Sequence, residues 1–328
     1  MNCARCPAVP ASPRCVPATL GPRQRPPFDR RDELTRVHRL KNWQLFAICV
    51  LTWGTTWYAI TFQVGRVAPE VGVALRFALA GAVVLGLCVV RKERLHFKAA
   101  DHALLALQGA FLYGVSYIFV YHAEQHLFSG LVAVGYSASP LVAGLGARGL
   151  FGVRITWRFV FGGLLGLAGV ALIFWPEFGK AAGNRDTPLG VLFTVGAVLL
   201  SAVGSLAATR NRSRGLPFWP SLGFGMLYGA AVAMTFALVQ GQSFAPPASV
   251  SWWVSLLYLA LAGSVLTFAC FLTLQERIGP GPTGSIGVMT PLLALTVSMV
   301  FEGFRPDSLT FAGAALAMSG NYLMLRRA

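Results

Sequence analysis

His122 and His126, in the stretch HAEQH, stand four residues apart, a spacing that turns two imidazoles toward one metal ion on a helix. The metalloprotease motif needs a glutamate directly after the first histidine, whereas Glu124 comes two after it. No third ligand stands nearby, so no catalytic residue, metal or cofactor is assigned. A metal-dependent enzyme at this pair is kept only as an alternative. Cys3 and Cys6 also have metal-like spacing, but a zinc site needs four ligands and the nearest histidine is His38.

A different chemistry gathers elsewhere. Trp53, Thr56 and Trp57 fall in one apolar run, Tyr113, Ser116 and Tyr117 in another, and Tyr136 in a third. Aromatic rings with a polar edge suit an amphipathic organic solute. Tyr113 and Tyr117 are four apart and so share a helix face. Arg76 is the single basic residue inside an apolar run, placed either to anchor an anionic or zwitterionic group or to snorkel outward. Ser139-Pro140-Leu141 and Thr290-Pro291-Leu292 each set a helix breaker in the middle of oily sequence. Each proline lacks an N–H and its ring pushes away the carbonyl one turn earlier, at Tyr136 and Gly287.

The elements that must position these groups are set by composition. Of the 328 residues, 55% are hydrophobic and 12% charged, and the mean hydropathy is +0.61. A soluble domain carries about 25% charged residues, so most of this chain must be solvated by lipid. From Trp43 onward, runs of about 20 apolar residues alternate with short polar breaks, the length that crosses ~30 Å of hydrocarbon. Ten spans are expected, near 43–64, 71–90, 102–122, 129–148, 155–175, 189–208, 218–239, 252–275, 281–301 and 307–325. Cys49, Cys88 and Cys270 lie inside them as small hydrophobes. Residues 1–41, rich in Pro and Arg, have no helical period and are expected to be a disordered, basic cytoplasmic tail.

The formal charge of +15 points to membrane orientation rather than to nucleic acid. Of the 27 Lys and Arg residues, only Arg66, Lys180, Arg185 and Arg305 fall on one face of this topology, and Arg76 lies within a span. The rest, from the tail through Arg91, Arg148, Arg210 and Arg277 to Arg327, fall on the other, so both termini should be cytoplasmic.

The two proline motifs belong to a longer pattern. Gly54 and Gly204, Glu124 and Glu276, Gly162 and Gly313, and Gly169 and Gly320 recur at nearly one offset, the offset of Pro140 and Pro291. This predicts two copies of a five-span unit, over 42–180 and 181–328. Because five is odd, the second copy must insert upside down, giving inverted repeats around a midplane site. The Gly-rich faces GGLLGLAG and AGAALAMSG then pack helices closely, within the bundle or across a homodimer. Glu124 and Glu276 fall near opposite mouths, as gates or as solvated helix ends. No Asp or Glu lies near mid-span, so proton coupling through a carboxylate at that depth is not expected.

LTWGTTWYAI in the first span, ALRFALAG in the second, the two proline helices and the closing VFEGFRPDSLTFAGAALAMSGNYLML together resemble the EamA-type branch of the drug/metabolite transporter superfamily. The resemblance covers most of residues 43–326. One departure is Val153, where the family carries the Glu of a Gly-Glu turn. The resemblance implies an all-α integral membrane protein of ten helices in the bacterial inner membrane that moves a small organic metabolite or drug, often outward. Trp53, Trp57, Arg76, Tyr113, Tyr117, Tyr136, Ser139, Pro140, Thr290 and Pro291 are the candidate substrate-binding residues, with Glu124 and Glu276 as gates. The partners expected are a small-molecule substrate and the bilayer. Import is the alternative direction, and an intramembrane metal enzyme at His122 and His126 the alternative class. A sensor or structural protein would not require duplicated interrupted helices.

Overall fold

The computed structural model describes residues 40–152, 154–180, 186–245, 247–278, 283 and 286–325. The tail with its cysteines, Val153 and Arg185 fall outside these residues, as does the side chain of Glu276.

Every regular element among the described residues is a helix. The first half runs α1 (Asn42–Thr61), α2 (Pro69–Val90), α3 (Ala99–Gly109), a π-helical turn (Ala110–Val115), α4 (Ser116–Ala123), α5 (Ser129–Tyr136), α6 (Ser139–Phe151) and α7 (Trp157–Lys180). The second runs α8 (Asp186–Ser213), α9 (Phe218–Val239), α10 (Val250–Leu257), a π-helical stretch (Tyr258–Leu266), α11 (Thr267–Ile278), α12 (Ile286–Phe301) and α13 (Ser308–Leu325). Local chemistry sets several ends. Pro69 and Glu70 open α2, where a missing N–H is harmless and a carboxylate meets the positive end of the helix. Gly152 closes α6 in the left-handed region, at φ 65°, donating its N–H to the Arg148 carbonyl.

Where ten spans are expected, seven stretches among the described residues are long and apolar enough to cross a membrane, by length and composition. They are 69–90, 99–123, 129–151, 157–176, 187–213, 218–239 and 250–274. The shortfall has a chemical cause. α1 is diluted by its Trp, Thr and Tyr residues, α12 has only 16 residues, and α13 carries Asn321.

The two prolines act differently. Pro140 sits in the first turn of α6, and the chain breaks at Ser137 and Ala138 just before it. Pro291 lies inside a continuous α12, so the expected matching interruption is not there. A proline removes one backbone bond and crowds one carbonyl. In α12 that carbonyl belongs to Gly287, and the helix runs on through the proline from Ile286 to Phe301.

Helices α7 and α13 cross on glycine. A Cβ on Gly162 or Gly169 would lie 2.6 or 2.4 Å from the carbonyl oxygen of Gly320 or Gly313, and the reverse pairs are as close. The low residue of one helix meets the high residue of the other, so the two run antiparallel and the contact is reciprocal. These glycine faces are therefore occupied within the chain. α2 packs on α9, α1 on α12, and α4 on α8. One apolar cluster spans α1, α2, α4, α9 and the second π-helical stretch, and another joins α5, α7, α12 and α13. Trp57 packs against both. Trp43, Trp175 and Trp253 are exposed as interfacial rings would be, whereas Trp252, next to Trp253, is fully buried.

The crossing predicts opposite outcomes at two glycines. Gly169→Ala should lower the melting temperature in a thermal-shift assay, overpacking against backbone at about 1–3 kcal/mol. Gly86→Ala, with nothing near its Cβ, should leave it unchanged or raise it; equal effects would mean that α7 and α13 do not meet here. Pro140→Ala should let α5 and α6 join, slowing turnover several-fold at unchanged abundance in the membrane. Unchanged turnover would reduce this proline to a packing residue.

Candidate functional site

A cavity of about 230 Å³ lies where α1, α2, α4, the α5–α6 break, α11 and α12 converge. From α1 come Trp53, Thr56, Trp57 and Ile60, three to four residues apart and thus on one helix face. Arg76 enters from α2, Tyr117 from α4, Tyr136 from the end of α5, and Ser139 and Pro140 from the start of α6. Phe268 of α11 and Gly287, Thr290 and Pro291 of α12 close the far side.

Backbone irregularity explains the convergence. Tyr136 and Gly287 are the residues whose carbonyls the two prolines displace, and both line this cavity. Such displaced groups are tolerated in a membrane protein where they face a cavity rather than lipid. The second π-helical stretch adds another device. Ser264 and Thr267 donate to carbonyls five residues back, at 3.0 and 2.7 Å, while the Gly263 carbonyl accepts the Trp53 indole N–H at 3.1 Å. The Trp53 ring is held further against Phe268 and Phe271, with centroids 5.4 and 5.3 Å away. Trp57 meets Tyr136 edge-on at 5.5 Å.

Arg76 does not snorkel. It is 3% exposed, with its guanidinium carbon 4.8 Å from the Tyr117 ring centroid and 5.1 Å from that of Phe77. Its Nε and Nη1 have no hydrogen-bond partner among the described residues. Two aromatic faces offset part of the cost of burying the charge, and the open donors are suited to an anion.

Of the residues singled out in the sequence, the structure leaves Tyr113 out of the cavity. Tyr113 lies within the π-helical turn and both tyrosines touch Phe77, but only Tyr117 reaches the cavity wall. Tyr113 packs against Phe77 and lines a separate cavity of about 180 Å³ with Gln108 and Asn211. His122 and His126 both stack on Phe193, and His122 bonds Glu70 and Gln125, each at 3.1 Å. Among the described residues no three His, Cys, Asp or Glu side chains are grouped to hold a metal ion.

Sequence reasoning missed Phe268 and Ser137. Phe268 was legible, because it stands at the offset of Pro140 and Pro291 from Tyr117. Ser137 carries no such signal, since the position of the break decides it.

A second hollow, of about 330 Å³, opens beyond α4 and is lined by Thr61, Glu124, His126, Phe128 and Glu302 among others. Glu302 accepts from the Ser129 N–H at 3.1 Å and the Ser298 hydroxyl at 2.5 Å, at the N-terminus of α5 where the helix favours negative charge. Glu124, just past the span that ends at Ala123, is 7% exposed rather than solvated. Burial, and then the charge of Glu302, hold its carboxyl well above the usual carboxylate range, with Arg76 pulling the other way.

The sequence matches the EamA-like transporter family twice, over residues 42–175 and 188–326. It is 28% identical over 262 residues to the inner membrane transporter YedA of Escherichia coli K12, covering 79% of this chain and 82% of that one. It is 25% identical over 292 residues to a probable terminal-alkyne amino-acid exporter of Streptantibioticus cattleyicolor, covering 87% and 93%. A solved crystal structure superposes with a TM-score of 0.62 over 86% of this chain and 95% of that one, at 20% identity, a likeness of fold alone. The chain thus belongs to the EamA-like transporter family, and the cavity around Arg76 lies inside a multi-pass membrane transporter.

Proposed function

We propose that the protein exports a small organic acid or zwitterion across the bacterial inner membrane by alternating access around the Arg76 cavity. The observation that carries this reading is a buried guanidinium with unpartnered donors on an aromatic-walled cavity. Ionisable side chains inside a membrane bundle mark a ligand site or pathway. The solute's carboxylate meets Arg76, and its apolar body lies against Trp53, Trp57, Tyr117 and Tyr136. Thr290 and Ser139 supply hydroxyls for orientation, while Pro140 and Pro291 shape the wall.

The volume argues for a metabolite rather than a drug. Pockets for drug-sized ligands run ≈300–1,000 Å³, above the 230 Å³ here. The exporter among the relatives is named for an amino acid, a solute of this size and charge. Ten spans in two inverted five-helix repeats, with both termini cytoplasmic, form the frame of the proposal. The two family matches and the reciprocal, antiparallel glycine contacts of α7 and α13 support it. Rocking of one set of helices against the other would then expose one site to each side in turn.

In proteoliposomes screened with labelled amino acids and organic acids, Arg76→Gln should raise the half-saturating concentration of acidic solutes roughly tenfold or more. A hydrogen bond to a charged group contributes ≈1.5–3 kcal/mol. Neutral solutes should be unaffected, and an equal loss for all solutes would assign Arg76 to folding. Cysteines placed at Tyr136 and Thr290 should react with impermeant reagents from either side of the membrane and be protected by a transported solute. Reaction from one side only under every condition would rule out alternating access.

A further inference from the structure

Both carboxylate oxygens of Glu124 lack a hydrogen-bond partner among the described residues, although the side chain is 7% exposed. Its neighbours show the two usual remedies for a buried acid. Glu70 is paired with His122 at 3.1 Å, and Glu302 is hydrogen-bonded at a helix N-terminus. Glu124 has neither, and an unpaired ionised carboxylate in such a place is costly. Helix packing alone would accept Gln or Leu here at lower cost. The side chain instead lines the 330 Å³ hollow, one helical turn beyond Val120, which lines the Arg76 cavity. Glu124 thus stands between the proposed solute site and a water-sized opening.

We infer that Glu124 is a proton-binding site of the transport cycle, loaded from this hollow, and that its proton is linked to the occupant of Arg76. The inference rests on the transport reading above for its place in a cycle. The step itself is simple: a proton passes from water in the hollow to a carboxylate oxygen of Glu124, and no other bond changes.

The surrounding charges fix the sign of the linkage. Arg76 on α2 favours the ionised form, and Glu302 beyond α12 opposes it. Tyr121 on α4 donates to Gln63 at 3.1 Å, and His126 and Gln125 lie on the wall of the hollow. Glu70 and His122 form a pair of opposite charge. An anion seated on Arg76 cancels the attraction that holds Glu124 ionised. Acid binding therefore raises the proton affinity of Glu124, and by reciprocity protonation tightens acid binding by the same factor. The acid and the proton move in the same direction.

The test uses the full-length protein in lipid, following the protonated-carboxyl stretch by infrared spectroscopy across a pH titration. In the wild type one buried carboxyl should lose its proton well above about pH 4.3, the ordinary value for Glu, and Glu124→Gln should abolish that signal. Glu302→Gln should weaken proton binding, and Arg76→Gln strengthen it, each by roughly tenfold, the effect of one nearby charge at protein dielectric. A high-pH signal that survives in Glu124→Gln would overturn the site. A midpoint unmoved by Arg76→Gln would overturn the linkage. If Glu124→Gln does not fold, Glu124→Asp keeps the carboxyl and must still show a titrating band at a displaced midpoint; its absence counts against the site. No readout here requires transport, so failure of the export reading and failure of the proton site are told apart.

Discussion

The governing constraint is that lipid offers no hydrogen bonds. Every backbone group at membrane depth must find a partner inside the protein, so an irregular helix is admissible only where it faces a cavity. The break at Ser137 and Ala138, the proline inside α12 and the two π-helical segments all release backbone groups. Three of these features come together at one place. The residues with displaced carbonyls, Tyr136 and Gly287, line the Arg76 cavity, and the Gly263 carbonyl of the second π-helical stretch orients Trp53. The cavity is thus less a gap in packing than the location where the backbone's unspent polarity has been collected.

Around that site the scaffold is paired while the chemistry is one-sided. At the offset of the two prolines, Tyr117 answers to Phe268, Tyr136 to Gly287 and Ser139 to Thr290, and all of these line the cavity. In the alignment that pairs Gly54 with Gly204, Trp53 and Trp57 answer instead to Val203 and Ala207 on α8. Gly204 beside them accepts another helix: a Cβ there would fall 2.5 Å from the Leu112 backbone. Near the counterpart of Arg76, Met226 is fully buried in the apolar core. One half therefore supplies the recognition groups and the other the close packing that holds them in register.

How much of this was legible follows from the range of each interaction. Helical periodicity and a repeated offset are local or arithmetic signals, and they sufficed to group Trp53, Thr56 and Trp57 and to find the proline pair. Which of two cavities Tyr113 lines is set by the packing of Gln108 and Asn211 beside it, which helical spacing does not reveal. Pro291 was expected to mirror Pro140, but one stands in the first turn of a helix and the other inside one, a difference the repeated offset does not carry. Burial of Glu124 is a long-range fact, since residues far along the chain cover a side chain that stands at a helix end.

The two buried charges then make joint sense. An empty site with Arg76 charged and Glu124 ionised carries no net charge, because the two cancel. A loaded site holds Arg76, an anionic solute and a protonated Glu124, and it cancels as well. The moving part of the protein then presents the same net charge in both passages across the hydrocarbon. Each uncompensated charge would otherwise work against the membrane potential at about 2.3 kcal/mol per 100 mV. Neither group could do this alone: Arg76 without Glu124 would return across the membrane as a bare cation, and Glu124 without Arg76 would have no reason to bind its proton only when cargo is aboard. The absence of a mid-span carboxylate is then no obstacle to coupling. A buried carboxyl on the wall of the hollow, near enough to feel the arginine, exchanges its proton from one side and reports the occupancy of the centre.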